Sequence, residues 1–144
     1  MKKIILFTAF MLFSAFTMPL FASFTSTTVQ GDVIVTDTKT GLIWQKTYLS
    51  VERNWQQALS YCEYLTYAGY TDWRLPNKNE LASLVNYAKY NPASDFPDMP
   101  SNSFWSSSTD AGYTYYAFCV LFRDGAVYSG DGFKSSNNYV RCVR

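Results

Sequence analysis

The chain has 144 residues, with 12 basic and 11 acidic side chains and no histidine. This near-neutral balance gives no electrostatic support for nonspecific nucleic-acid binding, which depends on an excess of Lys and Arg. The lack of histidine excludes a Ser-His-Asp triad, a Cys-His pair and a histidine metal site. A carboxylate pair for glycoside hydrolysis is conceivable, but no pattern marks one. We therefore expect a protein that is not an enzyme and needs no cofactor.

The first 22 residues have the pattern of a secretory signal peptide. Lys2 and Lys3 precede an uncharged apolar run that begins at Ile4 and ends at Phe16, and a small residue stands at Ala22. That run is shorter than the roughly 20 residues that a membrane-spanning helix needs. We expect an exported protein of the periplasm, the cell surface or the medium, with no membrane span after cleavage. The roughly 120 residues that follow are enough for one domain.

Two β segments are predicted near the start of this domain. Residues 23–31 are polar and rich in turn formers, so we expect a flexible leading segment before a domain over residues 32–144. Within that domain, residues 33–36 and 42–45 are β-rich and flank a turn at residues 39–41.

A first helix is predicted from an apolar stripe at helical spacing. The stripe consists of Trp55, Ala58, Leu59, Cys62 and Leu65. Asn54 is a suitable N-cap, and Gly69 is a suitable end. Because export leads to an oxidising compartment, one disulfide is expected among Cys62, Cys119 and Cys142. The spacing of these cysteines leaves all three pairings open.

A second helix is predicted to begin after Asn77, which forms a capping-box pattern with Glu80. Its apolar stripe consists of Leu81, Leu84, Val85 and Ala88. Pro76 favours an extended backbone in the residues before it, so "DWRLP" is predicted to link the two helices.

Arg74 lies within this link, where its planar guanidinium can form several hydrogen bonds at once. Ligand contact and a structural role are both open to it, and we favour the structural role. Its candidate partners are Asp72, Glu63 and Glu80.

The second half of the domain is predicted to be an antiparallel sheet. "FWSSS" has the composition of a strand, and Phe118, Val120 and Phe122 alternate ahead of a two-residue turn at 124–125. A second turn is predicted at Asp131, and the chain ends on the strand-like "NNYVRCVR". Strands, two helices and then several strands indicate an α+β domain.

Several stretches together resemble the C-terminal domain family of the Legionella collagen-like adhesin. They are "TGLIWQK", "WQQALSYC", "GYTDWRLPNKNEL", "FWSSS" and "YVRCVR", in that order. The resemblance implies a C-type-lectin-like fold, related to the formylglycine-generating enzyme and to retroelement variable proteins, with two helices flanking a mostly antiparallel sheet with long loops. It also implies that the first and last strands lie side by side. Finally, it implies a disulfide between Cys62 and Cys142, with Cys119 outside it.

Two features of the relatives are missing from this sequence. The chain has no collagen-like Gly-X-Y repeat, so trimerisation and avidity do not carry over. It also lacks the Glu-Pro-Asn, Gln-Pro-Asp and Trp-Asn-Asp motifs of calcium-dependent lectins, and we therefore expect no metal site. The clustered oxygen donors that remain are Asp124, Asp131, Asn137 and Asn138.

The resemblance implies a binding module that recognises carbohydrate, in particular sulfated polysaccharide, and supports adhesion. Aromatic rings and polar groups in two loops suit such a ligand. The candidate ligand-binding residues are Tyr113, Tyr115, Tyr128, Asp131, Phe133, Lys134 and Asn137. A sulfated ligand would also need a basic patch, for which Lys134, Arg141 and Arg144 are the candidates.

Two alternatives accompany this interpretation. Each tyrosine can instead pack on the sheet as ordinary strand filler. The whole module can instead be a protein-interaction or structural domain of the bacterial envelope whose partner is another exported protein.

Overall fold

A computed structural model describes residues 23–129 and 132–144. The predicted signal peptide and Asp131 lie outside these residues. The strands are β1 Phe24–Val29, β2 Asp32–Asp37, β3 Ile43–Gln45, β4 Leu49–Arg53, β5 Ser103–Thr109, β6 Ala117–Leu121, β7 Ala126–Tyr128 and β8 Asn138–Val140. The helices are α1 Trp55–Glu63 and α2 Lys78–Ala82. This content confirms the α+β class. The strands form two sheets, where the sequence predicted one.

The first sheet has the strand order β1-β2-β3 and is antiparallel. Asp37 closes the turn between β2 and β3, since its carboxylate accepts hydrogen bonds from the Lys39 amide and the Thr40 hydroxyl. The predicted hairpin is therefore present. The leading segment differs from the prediction, because most of residues 23–31 form β1. Its β-branched residues pair along the whole length of β2, and Phe24 packs edge-on against Phe96 at 5.2 Å between ring centroids.

The second sheet has the order β4-β8-β5-β6-β7 and is mixed, because β5 and β8 run parallel while the other pairs are antiparallel. Successive side chains of a strand point to opposite faces. Phe104 and Trp105 on β5 are both fully buried, and they belong to different core clusters. Both faces of this sheet are therefore covered. Ala58 of α1 lies in one cluster and Leu81 of α2 in the other, so the helices flank a mixed sheet as the resemblance implied.

The two predicted helix caps are present as full capping boxes. The Asn54 side chain accepts from the Gln57 amide at 2.9 Å, and the Gln57 side chain accepts from the Asn54 amide at 3.2 Å. Asn77 and Glu80 make the same reciprocal pair at the start of α2.

The predicted ends of both helices are wrong. α1 ends at Glu63 instead of Gly69, because the chain forms a tight hairpin in which the backbones of Tyr67 and Tyr70 pair. α2 is only five residues long. Leu84 is buried as predicted, but Ala88 is exposed, because the chain leaves the helix and the Asn86 amide donates to the carbonyl of Ala93.

The C-terminal segment, defined as residues 138–144, joins the parts of the domain. Its strand β8 lies between β4 and β5, and Val143 then bridges to both Trp44 and Arg74. The Ile43 and Arg144 backbones exchange two further hydrogen bonds. The expected pairing of the first and last strands is therefore wrong in detail. Both edges of β2 are already occupied by β1 and β3, and the chain end pairs with β3 instead.

A disulfide links this segment to the first helix. Cys62 and Cys142 are joined, with 5.5 Å between their Cα atoms, as the resemblance implied. Cys119 is fully buried and takes no part in the bridge.

Arg74 is held by the same segment and by the second helix. Its backbone amide and carbonyl pair with those of Val143, each at 2.9 Å. Its guanidinium forms a bidentate ion pair with Glu80, both distances being 2.7 Å. This contact lowers the pKa of the Glu80 carboxyl. Of the three predicted partners of Arg74, Glu80 is the one that the guanidinium contacts.

We predict that Arg74→Ala lowers the melting temperature by about 3 °C, because it removes a bidentate pair and leaves Glu80 in a capping box without its cation. Thermal unfolding followed by circular dichroism measures the change. Arg123→Ala is the matched control, since Arg123 forms an ion pair with its sequence neighbour Asp124 at the surface. Equal melting temperatures for the two variants would contradict the structural role.

We predict that reduction of the disulfide lowers the free energy of unfolding by about 4 kcal/mol, because the bridge closes a long loop in the unfolded chain. The two cysteines are 80 positions apart in sequence. Urea denaturation with and without reductant measures the loss, and mass mapping of non-reduced peptides identifies the bridge. A bridge that includes Cys119 would refute the pairing.

Candidate functional site

Two loops that the sequence singled out separately meet at one end of the second sheet. Tyr116 and Phe133 form a β-bridge, the Lys134 amide donates to the carbonyl of Tyr115, and the Ala117 amide donates to that of Gly132. These backbone contacts bring the loop before β6 against the segment that precedes β8. The side chains of both loops therefore share one surface.

Four aromatic rings form what we call the aromatic surface, defined as Tyr113, Tyr115, Tyr116 and Phe133. Tyr113 is 69% exposed, Tyr115 is 77% exposed and Phe133 is 48% exposed. The Tyr116 and Phe133 ring centroids are 4.3 Å apart, and Tyr113 meets Tyr116 edge-on at 6.2 Å. Large rings are thus exposed to solvent although their backbone is held by hydrogen bonds.

A hollow of about 270 Å³ opens beside these rings, lined by Asp110, Tyr113, Tyr116 and Ser129. The Ser129 hydroxyl donates to Asp110 Oδ2 at 2.6 Å, and the Gly112 amide donates to Oδ1 at 2.9 Å. These hydrogen bonds lower the pKa of the Asp110 carboxyl, and the bond from the Ser129 hydroxyl has the largest effect. Asp110 is therefore charged at neutral pH. Asp110 closes the loop and adds an acceptor to the hollow.

Asp110, Tyr116 and Ser129 were not among the residues that the sequence indicated. An Asp two residues before a Gly at the end of a strand is a turn signal that could have indicated Asp110. Nothing local indicates Ser129, because it reaches the hollow through a contact made in the folded chain.

Two lysines lie near the aromatic surface: Lys134 follows Phe133 in the chain, and the charge of Lys78 acts on Asp110, which lines the hollow. The Lys134 ammonium donates to the Thr109 hydroxyl at 2.9 Å and lies 4.1 Å from the centroid of the Trp55 ring. The Lys78 ammonium lies 4.0 Å from the centroid of the Phe118 ring. Stacking on a ring orients an ammonium group while leaving most of its donors to solvent.

Trp55 and Phe118, which carry these rings, both form a hydrogen bond with Ser106 of β5. Trp55 Nε1 donates to the carbonyl of Ser106 at 2.8 Å, and the Ser106 hydroxyl donates to the carbonyl of Phe118 at 2.7 Å. The two positive charges therefore lie near the same end of the sheet.

The predicted basic patch of Lys134, Arg141 and Arg144 is wrong, because Arg141 is completely buried. Its guanidinium lies 4.4 Å from the centroid of the Phe96 ring, and its Nη1 donates to the carbonyls of Gln45, at 2.8 Å, and Lys46. Burial lowers the pKa of Arg141 to about 9, so the side chain is a buried cation at neutral pH. Arg144 forms a bidentate pair with Asp72 at 2.7 and 3.0 Å.

The other predicted ligand residues differ in their placement. Tyr128 packs against the core, and its hydroxyl is hydrogen-bonded to that of Ser103, so it is not part of the aromatic surface. Asn137 is exposed further along the same segment as Phe133 and Lys134. Asp131 lies outside the described residues.

Two of the residues considered for calcium, Asp124 and Asn138, have other contacts. The Asp124 carboxylate accepts from Arg123 and from the Ala126 amide, and Asn138 Nδ2 contacts the sulfur of Cys119 at 3.5 Å. Over residues 23–129 and 132–144, no three His, Cys, Asp or Glu side chains form a group that could hold a metal ion.

The sequence matches the family described as the Lcl C-terminal domain over residues 33–144. The chain belongs to this family. No curated protein matches the sequence with statistical significance. Membership of the Lcl C-terminal domain family confirms the resemblance seen in the sequence motifs and identifies an adhesin-associated module. Together with the disulfide, it indicates an exported protein. In the part of the chain that the structure describes, no helix is both long and apolar enough to span a bilayer.

Proposed function

We propose that this Lcl-type domain binds carbohydrate through the aromatic surface and serves an exported adhesin-type protein as its recognition module. The observation that supports this most is the clustering of exposed rings, among them Tyr113 and Phe133, beside a hollow that contains a charged carboxylate. The apolar C–H face of a sugar packs on aromatic rings, while its hydroxyls take hydrogen bonds from tyrosine and carboxylate groups.

The backbone of the aromatic surface favours binding because it is ordered before any ligand arrives. The Tyr116–Phe133 bridge and the bond from Lys134 to Tyr115 hold the two loops together. A preorganised surface loses less conformational entropy when a ligand binds, so more of the contact energy appears as affinity. Tyrosine also has few rotatable bonds, which reduces the same cost further.

The charges near the surface favour an acidic glycan, and we propose sulfated polysaccharide as the ligand class. Lys78 and Lys134 replace the basic patch that the sequence predicted, and each ammonium is oriented by the ring beneath it. Asp110 offsets part of their positive potential. The domain as a whole is close to neutral, so attraction for a polyanion must come from this local pair.

We predict that Tyr113→Ala and Phe133→Ala each weaken binding to the preferred saccharide on a glycan array by about tenfold, since each removes a ring that contacts the sugar. Tyr64→Ala is the matched control, because Tyr64 is an exposed tyrosine at the end of α1. Melting curves for all three variants show whether the folded state is retained.

If the protein binds no saccharide on the array but captures a specific exported protein in a pull-down, the carbohydrate-binding proposal is rejected. The protein-interaction alternative is then favoured. Exposed aromatic residues are enriched in protein interfaces as well. Loss of that pull-down partner on Phe133→Ala would then assign the same surface to protein recognition.

We predict that the protein is retained on immobilised heparin and elutes at a lower salt concentration after Lys78→Gln or Lys134→Gln. Each substitution removes one positive charge from the proposed surface, and such contacts are screened by salt. Lys39→Gln is the control with the same charge change, because Lys39 is exposed on the turn between β2 and β3. Elution of the unaltered protein at the same salt concentration as a neutral protein would exclude sulfated ligands. Binding to saccharides on the glycan array would then assign neutral glycans to the surface.

A further inference from the structure

A second recess lies among β2, β3, the start of β4 and α1. It has a volume of about 400 Å³, and we call it the tyrosine cleft. Its lining includes Asp32, Gln45, Tyr48, Ser50, Tyr61 and Tyr67. None of the residues that line the hollow beside the aromatic surface lines this cleft. The two recesses are built by different parts of the described chain.

Two of the three tyrosine rings that line the cleft, Tyr67 and Tyr48, are held in place by contacts with the rest of the domain. The Tyr67 hydroxyl donates to the carbonyl of Val33 at 2.7 Å and accepts from its amide at 3.2 Å, and its ring lies edge-on to Trp73. The Tyr48 ring lies edge-on to those of Phe104 and Tyr139. The cleft therefore keeps its shape without a ligand.

The floor of the cleft contains a polar group with an unmet hydrogen bond. Gln45 is only 4% exposed, and its Nε2 donates to the Tyr61 hydroxyl at 3.2 Å. Its Oε1 is buried and has no hydrogen-bond partner among the described residues. Exchanging the amide oxygen and nitrogen would leave Nε2 without a partner instead. Buried amides almost always have their partners, so Gln45 is a polar group beside the cleft whose hydrogen bonding is incomplete within the described chain.

Further groups point to a molecule rich in hydroxyls. Because the Tyr61 oxygen accepts from Gln45, its own proton remains available to donate. Asp32 accepts from the Ala68 amide through Oδ2 at 2.8 Å, and its other oxygen can accept a further hydrogen bond. Rings, a carboxylate, an amide and hydroxyls in a recess of this size suit a small polyhydroxylated ligand.

The charges of the cleft disfavour an anion. Asp32 is the carboxylate in its lining, and no Lys or Arg is among the residues that line it. Arg141 lies behind the cleft, 5.6 Å from the centroid of the Tyr48 ring, and its Nη1 donates to the backbone carbonyls of Gln45 and Lys46. A sulfate or carboxylate group in the cleft would therefore meet a negative charge and find no Lys or Arg in the lining.

We propose that the tyrosine cleft binds a single neutral sugar residue, at a site separate from the aromatic surface. This inference does not require the aromatic surface to bind anything. The Tyr61 hydroxyl and the Asp32 carboxylate hold the sugar hydroxyls, and the rings of Tyr48 and Tyr67 face its apolar side.

The test is a titration of isotope-labelled protein, expressed from the full sequence, with methyl glycosides of glucose, galactose, mannose and N-acetylglucosamine. Amide shifts in NMR spectra locate the site and give the affinity. We expect at least one glycoside to give saturable shifts at Ser50 and Tyr61. If no glycoside gives saturable shifts at concentrations up to about 50 mM, the proposal is overturned, because a functional site would have a dissociation constant below that concentration.

Ser50→Trp is the blocking variant, since Ser50 is exposed at the cleft and a large ring there fills it without touching the core. We expect it to weaken the glycoside by about tenfold or more. Ser26→Trp is the matched control, an exposed serine on β1 that does not line the cleft. Tyr61→Phe removes the hydroxyl alone and should weaken binding as well. Equal binding by Ser50→Trp and Ser26→Trp, both folded by their melting curves, would overturn the proposal.

Tyr113→Ala separates this site from the proposed function. It should leave the glycoside titration unchanged, and Ser50→Trp should leave the glycan array unchanged. Saturable glycoside shifts confined to Tyr113 and Phe133, with none at Ser50 or Tyr61, would reject the cleft, whatever the array shows.

Discussion

The contacts of the C-terminal segment with five separate parts of the chain are the constraint on which the structure depends. β8 joins β4 to β5, Val143 pairs with Trp44 and Arg74, and Cys142 is bonded to the first helix. Without these contacts, the first sheet would lose its backbone bonds to the chain end. The order of the second sheet would also be interrupted between β4 and β5. The last residues of the sequence therefore hold together elements formed much earlier.

This arrangement explains why "DWRLP" and "VRCVR" occur together. The backbones of the two stretches lie side by side, joined by hydrogen bonds between Arg74 and Val143. The ion pair between Asp72 and Arg144 links their side chains. Arg74 and Arg144 each satisfy a carboxylate, and Arg141 satisfies backbone carbonyls inside the core. The motifs that mark the family in sequence therefore make structural contacts.

The two candidate binding regions follow from this division. The aromatic surface lies on loops that the sheet orders through backbone bonds, so large rings can be exposed without loss of structure. The tyrosine cleft lies where the first sheet approaches β4 and α1, and its rings are held by the core itself. One region is open and lies near two lysines, whereas the other is recessed and contains a carboxylate. We therefore propose different ligands for the two regions, an acidic polysaccharide for the first and a neutral sugar for the second.

Local patterns in the sequence determined the elements whose causes are local. The capping boxes at Asn54 and Asn77 and the turn after Asp37 depend on side chains that meet backbone groups a few residues away. The family motifs added the pairing of Cys62 with Cys142, which spacing alone left open.

Tertiary structure alone decided which charges and rings reach solvent. Arg141 belongs to a basic stretch that would be expected at the surface. It is nevertheless buried, because its guanidinium donates to the carbonyls of Gln45 and Lys46, nearly a hundred residues earlier in the chain. Tyr116 and Ser129 entered the candidate site through contacts across the sheet. The leading segment became β1 because β2 offered a free edge along its whole length. The exposure of a side chain depends on distant neighbours in the sequence, and no local pattern contains that information.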